Sequence, residues 1–134
     1  QKEVAQRLAA PQGSADGGAF SLFLQYYMDV SYLFDVPREK FLPSPKVTSA
    51  VLRCVRRESP AVTVRDEAFF FKVIKGAFLL RRKTLSNSLA AARPGSEKSA
   101  IAEAIAACGL PPAVRGEALT LTDFAALADA LSNL

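Results

Sequence analysis

The sequence contains no histidine, and only two of its 134 residues are cysteines. The absence of histidine excludes a Ser/His/Asp or Cys/His nucleophile, an HExxH zinc site and a zinc finger with histidine ligands, because each of these needs an imidazole. Cys54 and Cys108 lie far apart in apolar surroundings and form no CxxC pair. We therefore predict no metal site, and we expect both thiols to be free and buried, as is usual in a reducing compartment.

Long hydrophobic runs are also missing. No stretch approaches the roughly 18 apolar residues of a membrane-spanning helix. The amphipathic opening QKEVAQRL differs from the basic and then apolar pattern of a signal peptide. We therefore expect a cytoplasmic protein with no membrane partner. Because the chain starts at Gln1 directly in a helical pattern, we also expect it to be a piece of a longer protein.

Half of the residues are hydrophobic and 22% are charged, which is typical of a globular domain. The apolar spacing predicts a helix over residues 1–10 and another from Phe20, then strands over 29–36 and 47–57. The second strand is apolar on both faces at its start, so we expect it to be buried in a sheet that helices cover. The predicted fold class is α+β.

A proline-containing linker at residues 58–64 predicts a domain boundary, which divides the chain into residues 1–58 and 59–134. The second part has a helical pattern throughout. Its predicted helices span residues 66–80, 84–92 and 97–108, and a last helix begins at Thr122, which fits a capping residue.

The net charge of +4 is concentrated in one segment, because residues 72–83 hold five basic side chains and no acidic one. If the helix continues through this segment, Lys72, Lys75, Arg82 and Lys83 share one face, opposite the apolar face. Such a stripe attracts a phosphate backbone, whose binding releases condensed counterions. A solvated helix face explains the same charges, and charge alone supports the two interpretations equally.

The segment FLPSPKVTS, residues 41–49, places an aromatic ring on a proline-stiffened loop between the two strands. On such a loop Phe41 loses little entropy when its ring stacks on an unstacked base, and Lys46 adds a cation for a phosphate. Composition alone favours a simpler interpretation, in which Phe41 anchors the core.

Arg81 falls on the apolar side of an uninterrupted helix, where an unpaired charge is costly. Either the helix bends there or this arginine has a specific partner. A side chain that snorkels to solvent at a helix junction is the third interpretation.

Taken together, these segments resemble one family. The ordered segments are QKEVAQRL, SLFLQYYMDVSYLFDVP, FLPSPKVTSAVLR, FLLRRKTLSNSL and RGEALTLTDFAALA. In this order they are similar to the C-terminal half of the KsgA/RsmA family of small-subunit (16S) rRNA adenine N6,N6-dimethyltransferases, which use S-adenosylmethionine. The resemblance covers nearly the whole chain.

The resemblance implies that residues 1–58 are the C-terminal remnant of a Rossmann-like methyltransferase domain and that residues 59–134 form a small all-α domain contacting rRNA. It implies dimethylation of N6 of two adjacent adenosines in small-subunit rRNA, as part of ribosome biogenesis. The family's glycine-rich cofactor loop and Asn-Leu-Pro-Tyr motif precede the QKEV helix and are absent here, since Gly13, Gly17 and Gly18 follow a helix and not a strand. We therefore expect a missing N-terminal half, no cofactor site in this chain and no methyl transfer by it alone.

The resemblance also implies roles for individual residues. Phe41 corresponds to the aromatic that stacks on the target adenine. The residues that complete its loop motif are Pro43, Pro45, Lys46 and Ser49. The residues expected to bind rRNA are Lys72, Lys75, Arg81, Arg82 and Lys83.

Two other functions stay open. A 23S rRNA adenine methyltransferase of the macrolide-resistance type shares FxPxP, but its helical domain is differently patterned. A non-catalytic RNA-binding or ribosome-assembly module is what the isolated chain would be if it folds alone.

Overall fold

The computed structural model describes every residue from 1 to 134 and divides into two compact units, Gln1–Ala61 and Val62–Leu134. The elements of the first unit are α1 (Lys2–Leu8), α2 (Ala19–Tyr27), β1 (Met28–Val36), a 3-10 helix (Arg38–Lys40) and β2 (Ser49–Arg56). Those of the second are α3 (Glu67–Ala77), α4 (Leu85–Ala92), α5 (Lys98–Ala107), a 3-10 helix (Gly116–Ala118) and α6 (Leu121–Leu131). The predicted α+β class is confirmed.

The two strands form an antiparallel pair with one irregularity in its register. Tyr32 pairs with Leu52, and Phe34 pairs with the preceding residue of β2, Val51, so Leu33 is an extra residue of β1. A bulge of this kind bends a strand and increases its twist.

The expectation that β2 is buried on both faces is wrong. The strand is half-buried over residues 49–52 and exposed over 53–56, because the sheet has only two strands in this chain and α1 and α2 cover only part of it. Cys54 lies in the exposed half, which corrects the prediction that its thiol is buried. Cys108 is half-buried, and both cysteines are free as expected.

Helix α1 packs against α2 in the first unit, and one side chain joins them. The amide group of Gln25 donates hydrogen bonds to the backbone carbonyls of Leu8 and Ala10, both at 3.0 Å. Leu8 is the last residue of α1 and Ala10 lies just beyond it, where backbone carbonyls have no hydrogen-bond partner within the helix. Leu22 and Tyr26, on the same helix as Gln25, are buried in the core of this unit.

The four helices of the second unit enclose an apolar core. Its fully buried large side chains are Phe70, Val73, Ile74, Leu85, Leu89, Ile101, Ile105, Leu119, Leu121, Phe124, Leu127 and Leu131. No helix in the chain combines the length and the apolar character needed to cross a bilayer. No group of three His, Cys, Asp or Glu side chains comes together as metal ligands would.

Helix α6 is capped by Thr120, not by Thr122 as predicted. The Thr120 hydroxyl accepts a hydrogen bond from the Asp123 backbone N–H at 3.2 Å. In return, the Asp123 carboxylate accepts one from the Thr120 backbone N–H at 2.9 Å. This reciprocal arrangement gives a hydrogen-bond partner to two backbone N–H groups at the start of the helix. A cap at Thr122 would not provide these two partners.

Helix α3 ends at Ala77, short of the predicted end at residue 80. Lys72 and Lys75 therefore lie on the helix, whereas Arg82 and Lys83 follow it. The prediction that these four cations share one helix face is wrong.

Candidate nucleic-acid interface

Phe41 lies on the loop that joins β1 to β2, directly after the 3-10 helix. Its backbone N–H donates to the Arg38 carbonyl at 3.3 Å, and the Ser44 hydroxyl donates to the same carbonyl at 2.9 Å. Phe41 is 43% exposed and the adjacent Leu42 is fully exposed. The ring is therefore not an anchor of the core, and it is presented on a hydrogen-bonded loop.

The other predicted residues of this loop have different surroundings. Pro43 is exposed and follows a cis peptide bond, and Pro45 is half-buried. Lys46 is exposed. Ser49 is half-buried and is the first residue of β2, where it pairs with Val36. The structure therefore keeps Lys46 and the prolines on the loop with Phe41, while Ser49 belongs to the sheet.

Lys2 of α1 holds both ends of this loop. Its backbone N–H donates to the Thr48 carbonyl at 3.0 Å, and its ammonium group lies 2.9 Å from the carboxylate of Asp35. That carboxylate also accepts a hydrogen bond from the Tyr32 hydroxyl. The Tyr32 hydrogen bond and the Lys2 ammonium together hold the pKa of Asp35 below its ordinary value, and Asp35 raises the pKa of Lys2.

We call Lys72, Lys75, Arg81, Arg82 and Lys83 the basic cluster. All five side chains are exposed. Lys72, Lys75, Arg82 and Lys83 form no ion pair with a carboxylate. Exposed cations without acidic partners are available to neutralise phosphates of a nucleic acid.

The basic cluster is divided by the end of α3, where a buried hydroxyl takes part in the backbone hydrogen bonding. In a continuing helix the Leu80 N–H would donate to the Gly76 carbonyl. Here the Leu80 N–H donates to the Ser88 hydroxyl at 3.0 Å, and that hydroxyl donates to the Gly76 carbonyl at 2.6 Å. A side chain inserted into the hydrogen-bond ladder interrupts a helix. The chain therefore turns at this point, and Arg81 lies after the break and is exposed.

Ser88 is not among the residues predicted from the sequence, although its position carries a signal. Leu85, Ser88 and Leu89 share one face of α4, and all three are buried. A serine on the buried face of an apolar helix needs a hydrogen-bond partner. Its partners lie on α3 and in the following turn, and the sequence does not identify them.

The chain matches the model of one protein family, ribosomal RNA adenine dimethylase, over residues 1–112. The chain belongs to this family. The resemblance predicted from the sequence segments is therefore confirmed.

Curated relatives of this dimethylase family cover the whole chain. A protein of Lactococcus lactis subsp. lactis (strain IL1403), named ribosomal RNA small subunit methyltransferase A, is 49% identical over 134 residues, which are 100% of this chain and 46% of that protein. A protein of the same name from Streptococcus sanguinis (strain SK36) is 50% identical over 135 residues, with 99% and 47% covered. The chain thus spans about half the length of the curated relatives it matches.

Two crystal structures show the same fold at low identity. A dimethyladenosine transferase from Plasmodium falciparum has a TM-score of 0.73 and 22% identity, over 95% of this chain and 53% of that one. The 23S rRNA methyltransferase ErmE has a TM-score of 0.66 and 19% identity, over 98% of this chain and 52% of that one. The dimethylase family member described here therefore has the fold of the corresponding part of Rossmann-like rRNA methyltransferases, as predicted.

Proposed function

We propose that this chain is the RNA-facing C-terminal portion of an S-adenosylmethionine-dependent enzyme that dimethylates N6 of two adjacent adenosines in small-subunit rRNA. The observation that carries the proposal is 49% identity over the whole chain to a small-subunit rRNA methyltransferase. The exposed Phe41 loop and the exposed basic cluster support it. An enzyme of this kind acts on ribosomal subunits, so we place it in the cytoplasm.

We assign Phe41 to stacking on the target adenine. The exocyclic nitrogen of adenine is a weak nucleophile because its lone pair is delocalised into the ring. Its reaction therefore depends on precise orientation, which a ring stacked on the base supplies. The hydrogen bonds from the Phe41 N–H and the Ser44 hydroxyl to one carbonyl fix the loop that carries this ring.

We assign the basic cluster to contacts with rRNA phosphates. Such contacts set the register and orientation of a protein on its nucleic acid without reading the sequence. The Ser88 hydroxyl contributes indirectly, because it places the turn on which Arg81, Arg82 and Lys83 lie.

We infer that S-adenosylmethionine binds outside this chain. The chain's only glycine-rich segment, with Gly13, Gly17 and Gly18, follows α1 and leads into α2, whereas a cofactor loop of this fold joins a strand to a helix. We place the cofactor in the part of the parent protein that this chain does not span, and we expect the chain alone to be inactive.

Transfer of labelled methyl groups to unmethylated small ribosomal subunits tests the proposal. The full-length protein is expected to modify small subunits, and the 134-residue chain is expected to bind them without transfer. Transfer to large-subunit rRNA instead would support the 23S alternative, which the fold of ErmE allows. If the full-length protein binds small subunits but transfers no methyl group to either rRNA, the chain belongs to a non-catalytic assembly factor.

Replacing Phe41 with alanine in the full-length protein tests orientation of the target adenine separately from binding of the small subunit. We expect turnover to fall about 5- to 150-fold, because loss of one base-aromatic stack corresponds to about 1–3 kcal/mol. The affinity for small subunits should change less than threefold, since phosphate contacts dominate it. Leu42→Ala is the matched control, because it removes a neighbouring, fully exposed apolar side chain. Equal loss of turnover in both variants would contradict the stacking role.

Replacing Arg81, Arg82 and Lys83 together with glutamine tests the basic cluster. Binding to rRNA should weaken, and the log-log slope of affinity against salt should flatten by up to about 3. The control removes the same charge from exposed positions elsewhere in the second unit, with Arg65, Lys98 and Arg115 changed to glutamine. If the cluster variant keeps the wild-type slope, these cations are only a solvated surface.

A further inference from the structure

A groove in the second unit lies between α3 and α4, beside the basic cluster. Its volume is about 520 Å³, which falls within the roughly 300–1,000 Å³ of small-molecule sites. Val73, Leu79 and Leu89 contribute apolar walls, and Gly76 lies between them. Because Gly76 has no side chain, α3 and α4 can pack closely at this point. An added Cβ would lie 3.0 Å from the Cβ of Ala92.

An arginine with an unused donor also lines this groove. The Arg93 guanidinium lies over the Phe69 ring, 4.9 Å from its centroid, and its Nε donates to the Ser96 hydroxyl at 3.4 Å. Its Nη1 is buried and has no hydrogen-bond partner. A buried guanidinium donor without an acceptor is costly, so a rotation of the Arg93 side chain that brings Nη1 to an incoming oxygen would be favourable.

The charge of the groove has one sign. Besides Arg93, its charged lining residues are Lys72 and Lys75, and no carboxylate lines it. Both lysines also belong to the basic cluster, so the groove shares two cations with that surface. An occupant must therefore combine a flat or apolar body with an anionic group.

We propose that this groove binds one unstacked nucleotide of an RNA strand, with the base against the apolar walls and its phosphate on Lys72, Lys75 and Arg93. The inference deepens the proposed function, and it rests on the proposed binding of RNA. An acidic peptide would also complement the charges. The nucleotide fits better, because the groove offers an aromatic ring with a stacked guanidinium and shares Lys72 and Lys75 with the basic cluster.

Chemical-shift mapping of the ¹⁵N-labelled 134-residue chain tests the groove with three probes: adenosine 5′-monophosphate, inorganic phosphate and adenosine. The nucleotide should shift the backbone signals of Val73, Gly76 and Leu89 together, with an affinity at least tenfold above that of either part. Equal affinities for the nucleotide and for inorganic phosphate would overturn the proposal, since the base would then contribute nothing.

Variants at the groove test whether nucleotide binding depends on the groove itself and not on the surrounding surface. Leu79 is 57% exposed, so Leu79→Glu places a negative charge in the groove without disturbing the core. Arg93→Gln removes the unused donor. Each change should weaken binding of the nucleotide about tenfold or more. Ala91→Glu is the control for Leu79→Glu, because Ala91 is exposed on α4 and does not line the groove. Arg115→Gln is the control for Arg93→Gln.

Binding of a short single-stranded RNA distinguishes failure of this inference from failure of the proposed function. If the groove variants bind the RNA as the wild type does, while the Arg81/Arg82/Lys83 variant binds weakly, the groove is not a nucleotide site and the RNA interface stands. If neither change affects RNA binding, the proposed interface itself fails. Saturation of the groove by a glutamate-rich peptide, with no response to the nucleotide, would overturn the inference in favour of a protein partner.

Discussion

The hydroxyl of Ser88 joins two backbone groups that would otherwise continue α3, and its removal has a calculable effect on stability. Ser88 is completely buried, and it makes hydrogen bonds of 2.6 and 3.0 Å to the backbones of Gly76 and Leu80. Each such bond contributes about 0.5–1.5 kcal/mol net. Alanine recovers about 0.5 kcal/mol through its higher helix propensity. We therefore expect Ser88→Ala to lower the free energy of unfolding by about 0.5–2.5 kcal/mol.

Thermal unfolding followed by circular dichroism measures this loss. For a unit of this size, 1 kcal/mol corresponds to roughly 4–8 °C, so the midpoint should fall by about 2–20 °C. Ser99→Ala on the exposed surface of α5 is the control and should change the free energy of unfolding by less than about 0.5 kcal/mol. The basic cluster keeps its charges in Ser88→Ala, so RNA affinity should fall while its salt slope stays the same. A variant as stable as the control would refute the role of the hydroxyl bridge.

Two further predictions concern packing and thiol chemistry. Gly116→Ala should destabilise the chain by about 1–3 kcal/mol in chemical denaturation, because the new Cβ would lie 2.8 Å from the carbonyl oxygen of Ala77. Gly18→Ala, where an added Cβ meets nothing within 4 Å, should have little effect, and similar losses in both would contradict the packing argument. Iodoacetamide should alkylate the exposed Cys54 before Cys108, because burial raises the pKa of the Cys108 thiol. Peptide mass spectrometry measures the two rates, and equal rates would contradict the difference in exposure.

The sequence predicts the elements whose determinants are local. Helix α4 begins after Thr84, whose hydroxyl accepts from the Asn87 N–H, and α5 is followed by Gly109 with a φ of 74°. The cap of α6 could also have been predicted from the sequence. Thr120 is followed three residues later by Asp123, which is the spacing of a capping box, whereas Thr122 has no such partner.

The end of α3 was not predictable in this way, because no glycine or proline stops the helix after Ala77. Its termination depends on Ser88, which lies on the next helix and reaches back across the packed interface. The exposure of Cys54 has a similar origin. The apolar pattern of β2 is that of a covered strand, but exposure depends on which elements contact it, and in this chain only part of the sheet is covered.

Phe41 and the basic cluster are expected to contribute differently to turnover and to RNA affinity. In the role proposed for it, Phe41 acts through one ring face on a loop held by backbone and hydroxyl hydrogen bonds, so its replacement should change the rate of a reaction more than the affinity. In its proposed role, the basic cluster acts through several exposed charges, so its replacement should change affinity and salt dependence more than the rate on a bound substrate. Measuring turnover at saturating subunit concentration for both variants therefore tests whether Phe41 orients the target base while the basic cluster binds the RNA. If the cluster variant loses as much turnover at saturation as Phe41→Ala, the cations orient the target base as well as bind the RNA.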